Sequence, residues 1–178
     1  MDFYLERLRD EIAAATDGLD TMALTWHPEG KWSTAEILEH LYLTYTGTIK
    51  GFERCLKAEK PMARKPTLND RVKAWVVVGL GHLPEGRVAP KNTRPQGLAP
   101  ERVLADIRPK ISEMDAIIAT VETKYGELTR VLDHPILGPL RAQQWRKFHW
   151  VHGQLHLKQI RRLRAGAANQ ISLVELRD

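Results

Sequence analysis

The chain has 178 residues, of which 43% are hydrophobic and 28% are charged. This composition is ordinary for a globular protein and excludes a disordered or fibrous chain, and the length predicts a single domain over residues 1–178. The lone cysteine excludes a disulfide framework and an all-cysteine zinc site, and no apolar run approaches the roughly 18–20 residues that span a membrane. The charged N-terminal residues argue against a secretory signal, so we expect a cytoplasmic protein.

The first third of the chain predicts two amphipathic helices. Apolar residues recur every three or four positions over residues 5–19, and again over residues 38–56. The second helix has a clear predicted start, because Ser33 and Glu36 have the spacing of a capping box. Pro61 follows its predicted end, as is common after helices.

The middle of the chain predicts a further helix and then a long loop. Residues 67–80 include the valine run 76–78, which alone would suit a buried strand, but the lack of a partner strand favours a helix. Residues 79–100 include eight glycines and prolines and show no periodicity. We therefore predict a loop there, and loops of this length are usually functional or mobile.

The remainder of the chain predicts two more long helices. Apolar residues recur every three or four positions over residues 104–125, where Pro109 is expected to kink the helix or delay its start. A loop that contains His134 leads to the last helix, predicted over residues 141–164 and ended by Gly166. The fold class predicted from these elements is all-α: an antiparallel four-helix bundle with a helical and loop insertion between the second and third long helices.

Three of the seven histidines lie in the apolar stripe of the last helix. At about 100° per residue these three fall within a sector of roughly 60°. Buried polar groups without partners typically cost about 1–3 kcal/mol, and a divalent metal would satisfy several imidazoles together. His152 and His156, four residues apart, have the spacing with which one helix supplies two metal ligands. The stripe consists of Trp145, His149, His152, His156, Gln159 and Leu163.

A third ligand must come from another element, and His40 in the second helix is the best candidate. Small residues on its face of the helix leave room for a cavity. His149 has two alternative roles, a hydrogen bond within the core or support of a neighbouring ligand. His27, His82 and His134 fall in predicted loops beside proline or glycine and are expected to be solvated or to form turns.

Two strings of the sequence resemble motifs of the DinB/YfiT-like family. Residues 32–41, WSTAEILEHL, resemble the family's opening motif, in which a helix delivers a histidine. Residues 152–160, HGQLHLKQI, resemble its second motif, two histidines four apart followed by a glutamine, and residues 134–150 are similar to one branch of the superfamily. The resemblance implies a DinB-like four-helix bundle that binds nickel or zinc, in a family of metal-dependent hydrolases and thiol-dependent transferases with many dimers. The ligands that it implies are His40, His152 and His156.

Three histidine ligands leave at least one coordination position open, which is typical of catalytic sites. A bound water there could attack an ester, amide or epoxide, or the position could take the thiolate of a low-molecular-weight thiol. Gln159 could hydrogen-bond the metal water, and Glu36 could orient His40, although its capping-box role is an equal alternative. No general base is evident, and the catalytic residues are not assigned. We therefore predict a hydrolase of small-molecule substrates. The family resemblance adds a thiol-dependent S-transferase as an alternative function and a homodimer as the expected assembly.

Two other function classes are weighed against the enzyme. A non-catalytic metal-binding or interaction module is favoured by the lack of an identifiable base. Nucleic-acid binding would rest on the net charge of +5 and on basic residues near the end of the last helix, such as Arg161 and Arg164. Those residues complement the dipole of a helix C-terminus, and no DNA-binding motif is present, so this class is disfavoured.

Overall fold

The computed structural model of the chain describes residues 1–84, 86 and 88–175, with side chains described as far as residue 168. This part is mostly helical and contains six α-helices and one two-stranded antiparallel sheet. A π-helical turn, Trp75–Gly79, continues the fourth helix, and a 3-10 turn, Lys91–Thr93, lies in the loop before the fifth. In chain order the elements are α1 (Phe3–Thr16), α2 (Thr21–Thr25), α3 (Thr34–Lys57), α4 (Leu68–Ala74), α5 (Pro100–Tyr125), β1 (Arg130–His134), β2 (Gly138–Arg141) and α6 (Ala142–Glu175).

The four longest helices, α1, α3, α5 and α6, pack against one another around one apolar core. The apolar stripes predicted over residues 5–19, 38–56 and 104–125 form the buried faces of α1, α3 and α5, as expected for amphipathic helices. Their fully buried members include Leu5, Leu8, Ile12, Leu38, Leu41, Phe52, Ile107, Ile111 and Ile118. The mainly helical class is therefore confirmed, and the small sheet is an addition to it.

The starts of α3 and α5 follow from their local sequence. The Ser33 hydroxyl accepts a hydrogen bond from the Glu36 amide, and the Glu36 carboxylate accepts one from the Ser33 amide at 2.8 Å, which completes the predicted capping box. Helix α5 begins at Pro100 and continues through the exposed Pro109. Of the two effects expected from Pro109, a kink or a delayed start, the delayed start is therefore wrong.

The loop expected around His134 is instead a β-hairpin, and of the two roles expected for this histidine, solvated or turn-forming, the structure shows the turn-forming one. His134 ends β1 with only 8% of its surface exposed, and its ring centroid lies 4.2 Å from that of Phe148. Its Nδ1 accepts hydrogen bonds from the amides of Ile136 and Leu137, at 3.2 and 3.1 Å. The imidazole thus closes the turn as an Asx side chain would, and burial lowers its pKa to about 4.

Gly166 does not end the last helix, which continues to Glu175. A Cβ at this position would lie 2.6 Å from the Trp26 indole, which is closer than real Cβ contacts come. The glycine therefore permits close packing of α6 against the indole, and this role explains why the prediction of a helix end was wrong.

Helix α4 and its π-helical extension occupy the predicted helix over residues 67–80, but several of the large apolar side chains in this segment lie on its exposed face. Leu68, Val72 and Trp75 are exposed, whereas Val77 and Val78 are buried. The buried face consists of Asp70, Ala74, Val77 and Val78, whose spacings of four and three residues place them on one side of the helix.

Within the described part of the chain, none of the helices has the length and apolar character needed to cross a membrane.

Candidate metal centre

Helices α3 and α6 bring three histidines together. His40 lies in the second turn of α3, and His152 and His156 lie one turn apart on α6. The Nε2 atom of His152 lies 3.3 Å from Nε2 of His40 and 3.1 Å from Nε2 of His156. The three potential ligand atoms all lie within 4.8 Å of one another, close enough to hold one metal ion.

The imidazoles of His40 and His156 each make a hydrogen bond on the side away from the cluster. These bonds determine which nitrogen of each ring presents a lone pair to the cluster. The Nδ1–H of His40 donates to the Thr93 carbonyl at 2.7 Å, and the Nδ1–H of His156 donates to Oε1 of Gln159 at 2.8 Å. A neutral imidazole has only one N–H, so the Nε2 atoms of both rings are acceptors. His152 Nε2 can donate to one of them at a time, which leaves at least one lone pair that a cation would satisfy.

Two of the three separations between the Nε2 atoms, those that involve His152, fit the edges of a transition-metal coordination shell. With metal–nitrogen bonds of about 2.05 Å, nitrogens 3.1 and 3.3 Å apart subtend angles of about 98° and 107° at the metal. These angles lie between those of octahedral and tetrahedral coordination. These two separations are compatible with nickel or zinc, both of which accept imidazole ligands.

The environment keeps the three imidazoles neutral, which is the form that binds a metal. Burial lowers the pKa of His40, although its hydrogen bond to the Thr93 carbonyl acts in the opposite direction. Burial, together with the nearby His40, lowers the pKa of His156 to about 4. The pKa of His152 lies well below its usual value, because of burial and then because of its two neighbouring histidines.

Two aromatic rings pack against the cluster. The Phe148 ring stacks on that of His152 with a centroid separation of 5.5 Å and an interplanar angle of 11°. The Trp32 ring lies 5.3 Å from that of His40. Both rings limit the rotation of the imidazoles and exclude water from their faces.

Glu39 and the loop before α5 form a support for His40 that the sequence did not predict. The Glu39 side chain, with its residue only 2% exposed, accepts hydrogen bonds from the backbone amides of Gln96, Gly97 and Leu98 at 2.7, 3.1 and 3.2 Å. This clasp fixes the loop that carries the Thr93 carbonyl. A glutamate directly before His40 in a stretch of helix buried on most sides was the available signal.

The remaining predicted residues take different positions around the cluster. Gln159 contacts His156, as described above. Glu36 completes the capping box and does not orient His40, because the hydrogen bond from His40 goes to the Thr93 carbonyl. His149 lies outside the three-histidine cluster: its Nε2 lies 3.2 Å from the Thr48 hydroxyl, and burial, followed by the nearby His134, lowers its pKa to about 3. It is therefore a core histidine beside the site. His27 and His82 are exposed, as expected.

A family model described as a protein of unknown function (DUF1569) matches residues 1–163. The chain belongs to the DUF1569 family. No curated protein and no solved structure matches it. The matched region contains all three clustered histidines, together with Glu39, Thr93 and Gln159, so the whole candidate metal centre lies within the part shared with this family.

Proposed function

We propose that His40, His152 and His156 bind one divalent metal ion, nickel or zinc, and that this DUF1569 protein is a metal-dependent hydrolase of a small-molecule substrate. The observation that carries the proposal is that Nε2 of His152 lies 3.3 Å from Nε2 of His40 and 3.1 Å from Nε2 of His156, with two of the tautomers set by the Thr93 carbonyl and the Gln159 amide. We further propose that the packing of α1, α3, α5 and α6 is that of an antiparallel DinB-like four-helix bundle, which the two sequence motifs support.

The number of protein ligands favours catalysis over a structural role. Among the described residues, no cysteine, carboxylate or further histidine joins the cluster. Structural zinc sites normally use four protein ligands, whereas three ligands leave a position for water or substrate. When bound in such a site, a divalent metal acts as a Lewis acid and lowers the pKa of coordinated water to about 7.

The side chains around the ligands have distinct tasks in this proposal. The Thr93 carbonyl and the Gln159 amide hold two imidazoles in one tautomer and orientation, which raises their basicity as ligands. The Phe148 and Trp32 rings keep water from the faces of the imidazoles, and the low local polarity strengthens their electrostatic interaction with a cation.

The first experiment measures the metal content of protein purified without a histidine tag. We expect about one nickel or zinc ion per chain in the wild type, and loss of at least tenfold in His152→Ala. His82→Ala is the matched control, because His82 is exposed and distant from the cluster in sequence, and should keep the full content. Circular dichroism confirms that each variant is folded. Metal-free wild-type protein after reconstitution with both metals would refute the proposal.

The second experiment separates the function classes. The metal-loaded protein is assayed against ester, amide and epoxide panels, with and without a low-molecular-weight thiol. Turnover without thiol that is lost in His152→Ala supports the hydrolase. Turnover that requires thiol would show the S-transferase instead, and metal binding without turnover would favour the non-catalytic module. Sedimentation velocity tests the separate prediction of a homodimer.

A further inference from the structure

A cavity lies away from the three histidines. It has a volume of about 300 Å³ and is formed by α4, the π-helical turn, the β-hairpin and the first turns of α6. None of the clustered histidines lines it. The side chains that matter for its chemistry are those of Asp70, Arg71, Trp75, Arg130, Gln144 and Lys147.

The walls of this cavity carry an excess of positive charge. Arg71, Arg130 and Lys147 line it, and in the described part of the chain none of the three forms an ion pair with a carboxylate. Asp70 does not balance them, because it is held by both terminal nitrogens of Arg64, at 2.6 and 3.0 Å. The cavity thus offers three cations to any ligand.

The hairpin places like charges opposite each other. Arg130 of β1 pairs in register with Arg141 of β2. Like charges directly opposite on paired strands destabilise a sheet, so this arrangement has a cost in stability. Burial, then Arg141 and Arg71, lowers the pKa of Arg130, in accord with this repulsion. Among the described residues, the buried Nε of Arg141 has no hydrogen-bond partner.

The backbone around the cavity is irregular on two sides. Trp75, 61% exposed, stands on the π-helical turn, and a Cβ on Gly79 would lie 3.2 Å from Cδ1 of its indole. The register between the strands shifts after Arg130, as in a β-bulge. Both π-turns and bulges are frequent at functional sites. Here the π-turn places a flat apolar face beside the cations.

We infer that this cavity binds a small phosphate monoester that carries a planar ring. A phosphate monoester has a charge of about −1.5 to −2 at pH 7, which matches a site with three cations better than a single carboxylate does. The guanidinium groups of Arg71 and Arg130 can bind phosphate oxygens in the forked geometry that favours arginine, and the Trp75 indole can stack on the ring. The volume is at the lower limit of small-molecule sites, which excludes large ligands.

Isothermal titration calorimetry of the full chain with adenosine 5′-monophosphate, inorganic phosphate and adenosine tests this inference. We expect the monophosphate to bind at least tenfold more tightly than either of the other two. Arg71→Gln and Arg130→Gln should each weaken its binding at least tenfold. Lys73→Gln removes a charge from the same helix outside the cavity and should leave the affinity within twofold.

Two further measurements test whether unfolding of the variant or a bound metal accounts for a change in affinity. Arg130→Gln should raise the Tm, because it removes a like charge opposite Arg141, so loss of binding cannot be ascribed to unfolding. Treatment with a chelator should leave the affinity unchanged, since the clustered histidines do not line the cavity. Absence of saturable binding at millimolar monophosphate, an equal loss in Lys73→Gln, or abolition by the chelator would each overturn the inference. Cavity-dependent binding of duplex DNA without binding of the monophosphate would also overturn it, in favour of a nucleic-acid surface.

Discussion

Glu39→Gln is the sharpest test of how the loop before α5 supports the candidate metal centre. In the wild type, Oε1 of Glu39 accepts a hydrogen bond from the Gln96 amide, and Oε2 accepts from the amides of Gly97 and Leu98. A glutamine side chain has the same shape but only one oxygen. Its NH₂ group must therefore face at least one backbone N–H, and the remaining hydrogen bonds lose the benefit of the negative charge.

The magnitude follows from the number of hydrogen bonds that are lost. A hydrogen bond to a charged group contributes about 1.5–3 kcal/mol, so we expect Glu39→Gln to destabilise the closed loop by about 2 kcal/mol. This corresponds to roughly thirtyfold more frequent opening, at about 1.4 kcal/mol per factor of ten. Because the same loop holds the Thr93 carbonyl against His40 at 2.7 Å, the affinity for metal should fall about 10–100-fold.

Competition with a chromophoric chelator measures the metal affinity, and amide hydrogen exchange measures the opening of residues 90–99. Glu53→Gln is the matched control, since Glu53 lies on the same helix and is exposed. It should change neither quantity. If Glu39→Gln accelerates exchange in the loop but leaves the metal affinity within twofold, the orientation of His40 by Thr93 does not contribute to binding, and the reasoning is refuted.

Three further predictions concern stability. Gly153→Ala adds a Cβ that would overlap the buried Leu8 side chain. Overpacking costs about 1–3 kcal/mol and the gain in helix propensity is about 1 kcal/mol, so the free energy of unfolding in urea should fall by up to about 2 kcal/mol, and an increase would contradict the close α1–α6 contact. Arg146→Met should lower the free energy of unfolding by about 3–5 kcal/mol in the same assay, because it leaves the buried Asp115 carboxylate without its cation at 3.1 Å. A loss below about 1 kcal/mol would show that Arg146 does not stabilise the protein by pairing with Asp115. The pKa of His134 is about 4 in the folded state and about 6.5 in the unfolded state. As the pH falls from 6.5 to 4, only the unfolded chain gains a proton at this residue, so the free energy of unfolding decreases by up to about 3 kcal/mol. His134→Asn keeps an acceptor for the turn without the titration, so urea unfolding at pH 6.5 and 4 should show a smaller decrease than in the wild type; equal decreases would contradict the assignment.

The part of the site that lies on one helix was predictable from the sequence. His152 and His156 are four residues apart, and helical geometry alone places them on one face. His40 required a second helix to pack against that face, and its position beside an apolar stripe indicated such packing. The Thr93 carbonyl was not predictable, because every residue has a carbonyl and its use depends on where the loop returns.

The errors in the fold arise where a segment is too short, or its packing too specific, for the sequence pattern to indicate its structure. Strands β1 and β2 have five and four residues, too few for a clear alternation of apolar and polar side chains, and β2 contains Pro139. Gly166 was predicted to end the helix by a rule for regular helices. Close packing on the Trp26 indole accounts for this glycine instead, and such packing has no reliable sequence pattern.

The adjacent residues Glu39 and His40 make the loop and the candidate metal centre one thermodynamic unit. Glu39 holds the loop, and the loop holds His40 through the Thr93 carbonyl. The loop has few apolar residues of its own, and Leu83 and Leu98 pack only partly against the core. Linkage is reciprocal, so the factor by which loop closure strengthens metal binding equals the factor by which metal strengthens loop closure. A segment without hydrophobic periodicity can therefore be ordered by the site that it covers. The site supplies hydrogen-bond partners, and these take the place of the apolar core that the segment lacks.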